Sequence, residues 1–195
     1  MKGKRYSGYI VGAVLLLIGI YLVVTFNGLV KKEEKYKLQW NEVQNAYQRR
    51  LDLIPNLVNI VKGGTEYEQT TLQKISDARA KAMSLNVSND INAENFSKQT
   101  AAQDQLAAAA NRLMITVEKY PDLQGTRAFS DLQSQLEGTE RRIKVARKDF
   151  NVAIAAYNSS VKSFPTSLVA GIFGFPAREG FEAVAGAENA VEIKF

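Results

Sequence analysis

Apolar residues recur along this chain in three different rhythms, and each predicts a different kind of structure. Residues 6–30 (YSGYIVGAVLLLIGIYLVVTFNGLV) carry no charge. An apolar stretch of this length is what a helix needs to cross ~30 Å of hydrocarbon. Tyr9, Leu15, Leu16, Leu17, Ile18 and Phe26 are its expected anchor residues. A cleaved signal peptide has an apolar core of about 7–15 residues and a small-residue cleavage site. The core here runs over residues 9–26, and the following TFNGLVKKEE holds no A-x-A pattern, so the run is read as a membrane anchor. Gly8 and Gly12 form one G-x-x-x-G, a spacing that lets two such helices approach closely.

From residue 31 to 164 the rhythm becomes steps of four and three, the spacing of one face of a helix. In the first segment Tyr36, Trp40, Val43, Tyr47, Arg50, Ile54, Leu57 and Val61 form the seam, and only Arg50 breaks it. Gly63 and Gly64 end that helix. A T-x-x-E capping box, Thr65 to Glu68, starts a second segment carrying Leu72, Ile75, Ala78, Ala82 and Leu85. It runs into the Asn/Ser/Asp-rich stretch 84–92, which reads as a loop. A third segment, about 93–120, carries Phe96, Gln99, Gln103, Leu106, Ala110, Leu113, Val117 and Tyr120, and Pro121 stops it. The fourth, about 126–164, carries Phe129, Leu132, Leu136, Thr139, Ile143, Ala146, Phe150, Ala153, Tyr157, Ser160 and Phe164.

A seven-residue period held over several turns favours long, coiled-coil-like helices, and short connections at 63–64 and 121–125 make neighbours antiparallel. The predicted fold class is all-α: one N-terminal transmembrane helix, then an antiparallel up-down-up-down four-helix bundle. Three regions are expected: a basic flank and anchor over 1–30, a bundle over 31–164 and a tail over 165–195.

The third rhythm belongs to that tail. Residues 166–181 (TSLVAGIFGFPAREGF) are rich in glycine and phenylalanine, have lost the seven-residue period and read as irregular apolar chain. Residues 191–195 (VEIKF) alternate like a short edge strand. The fourth helix, at ~57 Å against ~48 Å for the first, is long enough to return to the membrane. The tail residues Leu168, Ile172, Phe173, Phe175 and Phe181 are therefore expected near the bilayer surface. Three roles stay open for them: covering the end of the bundle, shallow insertion in the membrane, or docking on a neighbouring subunit.

Charge changes the picture little. The net charge is +5, but Lys2, Lys4 and Arg5 precede the anchor with no acid among them, which leaves +2 for the rest. That balance gives no case for nucleic acid as a partner. The basic flank orients the N-terminus inward and the bulk of the chain outward, although residues 31–35 (KKEEK) hold three basic residues as well. The chain has no cysteine and no histidine. Disulfides, thiol chemistry, lipoprotein processing, the usual zinc ligands and the commonest general base are thereby absent. No glycine-rich phosphate loop follows a strand. Glu33, Glu34, Glu66 and Glu68 read as solvated faces and caps, so no catalytic residue, metal or cofactor is expected.

Several separated motifs occur in order. They are Trp40-Asn41-Glu42-Val43-Gln44, the run QRRLDLIPNLV over 48–58, Ala78-Arg79-Ala80, and Tyr120-Pro121-Asp122-Leu123. LEGTERRI over 136–143, Ala146-Arg147, Phe150-Asn151, Phe164-Pro165, Leu168-Val169-Ala170 and Phe173-Gly174-Phe175 follow. Over roughly residues 30–182 this sequence resembles the bacterial LemA family. The resemblance implies a single N-terminal anchor, an antiparallel helical bundle, no recognised catalytic activity and an association with membrane organisation or remodelling. One departure is Gly138, where a better helix former is expected; glycine there costs ~1 kcal/mol and suggests close packing.

Arg50 on an apolar seam has two readings. Its stem lies along the core while its head reaches water or an acid, or it forms an anion site for a lipid headgroup or a peptide carboxylate. The favoured partners are Glu137 and Glu140, close to the fourth helix's seam. Pro55 removes one backbone hydrogen bond and clashes with the Leu51 carbonyl, so a kink is expected there. The functional expectation is a non-enzymatic scaffold in the bacterial inner membrane, with its bulk on the periplasmic side. It has the lipid bilayer as partner, forms a homo-oligomer and organises or remodels membrane or a complex with another membrane protein. The alternative is a helical binding module or accessory subunit that captures a peptide or protein, with VEIKF available to add to a sheet edge.

Overall fold

The computed structural model describes residues 3–64, 69–85, 93–117 and 125–181. Among these the secondary structure is all helical: α1 (Gly3–Gly64), α2 (Gln69–Ser84), α3 (Ala93–Val117), α4 (Arg127–Lys162) and α5 (Thr166–Phe173). The capping box at 65–68, Pro121 and the VEIKF stretch lie outside the described residues. The anchor and the first seam are one uninterrupted helix. It passes through Pro55 without ending and closes at Gly64.

The chain divides into two compact units. One comprises Gln39–Lys148; the other joins Met1–Leu38 to Asp149–Phe195. In the first, α1 to α4 all contribute to one core, including Leu51, Ile54 and Leu57 of α1, Ile75 and Ala82 of α2, Leu106 and Leu113 of α3, and Phe129 and Leu132 of α4. Contacts set the directions. Trp40 meets Phe96, and Gln44 exchanges amide hydrogen bonds with Gln99 at 2.7 and 2.9 Å, so α1 and α3 run parallel. Tyr47 meets Arg147 and Arg50 meets Glu140, rising numbers against falling ones, so α1 and α4 run antiparallel. Both directions are compatible with the up-down-up-down order.

In the second unit Tyr36 packs edge-on against Tyr157 at 5.1 Å, and the Lys32 ammonium donates to Ser160 Oγ, which keeps α1 and α4 antiparallel there as well. The seam of α4 is buried through Tyr157, but Phe164, expected on it, is 80% exposed. The helix has already ended at Lys162, so its period no longer places that ring. Gly138 is a second correction: a Cβ built there meets nothing within 4 Å, so close packing is not the reason for glycine.

The tail expected to be irregular contains a helix. Pro165, in a cis bond to Phe164, precedes α5, and Gly174 ends it in the left-handed conformation at φ 74°. The Phe175 N–H donates to the Ala170 carbonyl at 2.9 Å, the six-to-one bond of a Schellman cap. Gly171 and the flanking prolines hid this helix, because they read as breakers in a segment too short to show a period.

Candidate functional site

Polar chemistry in the Gln39–Lys148 unit concentrates around three arginines. Arg50 lies on the core side of α1, and its side chain is 2% exposed. A charge taken out of water needs a charged partner and hydrogen bonds. Arg50 has both: Nε and Nη2 donate to the two carboxylate oxygens of Glu140 at 2.7 and 2.5 Å, and Nη1 donates to the Gln103 backbone oxygen at 2.9 Å and its Oε1 at 3.3 Å. The fork-on-fork geometry is the strong form of this interaction. Glu140 remains 44% exposed, so the buried cation is neutralised by an acid that still reaches solvent. Glu137 takes no part; it accepts from Gln133 on its own helix.

A cleft of about 320 Å³ opens beside this pair, lined in part by Arg50, Ala110, Met114, Leu136 and Glu140. An anion entering it would meet a guanidinium already engaged on three nitrogens. The geometry therefore supports the ion-pair role of Arg50 over the headgroup or carboxylate site.

Arg147, half-buried on α4, donates from Nε to the Tyr47 hydroxyl at 3.0 Å and from Nη2 to Asp104 at 2.7 Å. Burial pushes the Tyr47 hydroxyl above its ordinary 10.0, against the opposing pull of the Arg147 charge. The third arginine, Arg79 of α2, donates from Nε to the Leu51 carbonyl at 2.9 Å. That carbonyl is the one Pro55, lacking an N–H, leaves without its helical partner. Trp40 is buried against Phe96, with ring centroids 5.3 Å apart.

In the other unit the tail is held by two asparagines. Asn158 Nδ2 donates to the Arg178 carbonyl at 2.7 Å, and its Oδ1 accepts from the Arg178 N–H at 2.8 Å. Asn151 makes the same pair with Phe181, at 2.9 and 2.7 Å. Tyr157 adds a bond from its hydroxyl to the Pro176 carbonyl at 3.0 Å, and Phe181 stacks edge-on against Phe150. Gly180 lies so close that a Cβ would sit 2.6 Å from Asn151 Oδ1. In the sequence Asn151 stands out only within the Phe150-Asn151 motif. The available signal was the pair of asparagines seven residues apart on a helix otherwise dominated by its apolar seam.

The remaining tail residues separate. Phe173 and Phe175 both pack edge-on against Phe26, at 5.0 and 5.6 Å, while Leu168 and Ile172 point away from the chain. Tyr9, Leu15, Leu16, Leu17 and Ile18 are exposed along α1, and Phe26 is half-buried. Among the described residues no cluster of three or more acidic side chains is placed to hold a metal ion.

Among the described residues, one helix long and apolar enough to cross a bilayer runs on into an all-helical body, which defines a membrane-associated helical protein. More particularly, the chain belongs to the LemA family, whose model matches residues 39–195. It is 26% identical over 179 residues to magnetosome protein MamQ 2 of Paramagnetospirillum magneticum, covering 83% of this chain and 66% of that one. It is likewise 26% identical over 178 residues to magnetosome protein MamQ of Magnetospirillum gryphiswaldense, covering 82% and 65%. Protein LemA of Metamycoplasma hominis is 23% identical over 159 residues, covering 80% and 69%. The chain thus spans about two thirds of the length of the MamQ relatives.

Proposed function

We propose that this protein is a non-enzymatic scaffold in the bacterial cytoplasmic membrane. It spans the membrane once, keeps its N-terminus in the cytoplasm and presents its helical body outside. There it self-associates and organises or remodels membrane or a membrane protein complex. The observation that carries this reading is α1 itself. It holds an 18-residue window of mean hydropathy 2.6, none of it buried within the chain, and continues without a break into residues that build a packed core. Relatives named as magnetosome proteins accord with a membrane role.

Sidedness rests on the three basic residues that precede the run with no acid among them. Self-association is supported by Gly8 and Gly12, which stand one turn apart with nothing within 4 Å of where their Cβ atoms would lie. Light scattering on the full chain in mild detergent tests the reading. Homo-oligomers are expected, and Gly8→Leu with Gly12→Leu shifts them toward monomer. A wild-type chain that is monomeric at every concentration removes the scaffold.

A further inference from the structure

α5 carries no charge, and its polar side chains, Thr166 and Ser167, are confined to its first turn. Val169 and Ala170 face inward and are buried, while Leu168 and Ile172 face outward at 59% and 73% exposure. No charged residue occurs between Lys162 and Arg178. A helix without a charged face belongs in a protein core or in lipid, and a cluster of large apolar side chains left in water marks a contact surface.

Position identifies what covers it. Phe173 at the end of α5 and Phe175 just beyond it both pack on Phe26, which lies inside the uncharged run of the anchor. The next charge along α1, Lys31, comes five residues later, about 7.5 Å along the helix. α5 is therefore held at the depth where α1 leaves hydrocarbon. Basic side chains begin at this level on both helices: Lys31 and Lys32 are exposed on α1, Lys162 is exposed on α4, and Lys32 reaches Ser160. Such a collar is where anionic lipid head groups meet a membrane protein.

We propose that α5 is a second membrane element. It lies in the boundary between acyl chains and head groups of the leaflet through which α1 emerges, with Phe164, Leu168, Ile172 and Phe173 in lipid. This rests on the anchor reading above. A body inserted into one leaflet enlarges that leaflet alone, which gives the scaffold a direct means of bending the membrane.

The absence of native cysteine makes single-site labelling of the full chain clean. An environment-sensitive fluorophore is placed at Ile172→Cys, with Leu168→Cys as a second reporter on the same face. Leu17→Cys in the anchor and Val152→Cys on the exposed side of α4 serve as references. Each variant is reconstituted at low protein density in vesicles of phosphatidylethanolamine and phosphatidylglycerol, with and without acyl chains brominated near the head group. The proposal expects blue-shifted emission at 172 and 168 and loss of roughly half the intensity to bromine, the response of a site some 5–10 Å deep. Position 152 stays water-like and unquenched. Lipid-quenched 17 with water-like 172 and 168 overturns the proposal and leaves the anchor standing. Blue-shifted but unquenched 172 and 168 overturn it in favour of a second copy of the chain. Water-like emission at 17 overturns the anchor reading and this proposal with it.

Discussion

Arg79 of α2 donates a hydrogen bond to the backbone carbonyl of Leu51, the acceptor that Pro55 leaves open on α1. A helix interior tolerates proline only when another group takes the freed carbonyl. The two residues therefore couple. Arg79→Met is expected to cost about 1.5–3 kcal/mol, the range for a hydrogen bond involving a charged group. In a Pro55→Ala background the restored N–H occupies the Leu51 carbonyl, and the same change costs about 1 kcal/mol or less. A double-mutant cycle on thermal unfolding followed by circular dichroism checks this.

The ion pair between Arg50 and Glu140 is asymmetric, because only the arginine is fully buried. Glu140→Ala strands a cation in the core and is expected to cost about 3–5 kcal/mol. Arg50→Met leaves an acid that solvent already reaches and fills the space with apolar volume, so it costs less. The order of the two melting temperatures tests the asymmetry.

Gly138→Ala is expected to stabilise the chain by about 0.5–1 kcal/mol, since the added methyl meets nothing within 4 Å and glycine is disfavoured inside a helix. Chemical denaturation of the two proteins side by side measures it.

Tyr36, Tyr47 and Tyr157 all have hydroxyls held above the ordinary 10.0, chiefly by burial. A raised folded value means the folded state keeps protons that the unfolded chain releases above about pH 10. The contribution of these tyrosines to stability is therefore constant up to that point and falls as pH rises further. Tyr47→Phe removes one of the three contributions and flattens the fall; melting temperature against pH from 8 upward, on an estimate of about 10 for the free phenol, reads it out.

Asn151→Ala and Asn158→Ala each remove two hydrogen bonds to the tail backbone. Each is expected to raise hydrogen exchange locally over 176–181 and leave the core of the Gln39–Lys148 unit unchanged. Gly180→Ala, which drives a methyl into the Asn151 amide, gives the same local signature as Asn151→Ala.

The helical fold was legible because its seam is regular. Tyr36 through Val61 on α1 and Phe129 through Tyr157 on α4 stand where the four-three spacing puts them, and all of α1's are buried. Arg50 was visible as the one charge on that seam. What escaped the sequence is structure with no period. α5 has eight residues and an internal glycine, so propensity argued against it until Gly174 supplied a cap. The bond from Arg79 was discoverable by asking who accepts the task of the missing Pro55 N–H, but its donor comes from 28 residues away. The asparagine pairs bind backbone atoms, which no side-chain pattern reports.

Asn151 and Asn158 are separated by seven helical residues, about 10.5 Å, and they grip Phe181 and Arg178, whose three-residue spacing spans about 10 Å when extended. α4 thus acts as a ruler against which the tail is measured. Side chains at 177 and 179 are free to drift during evolution, whereas inserting or deleting a single residue between 178 and 181 leaves one notch empty. Length, rather than composition, is what selection is expected to hold constant in this segment.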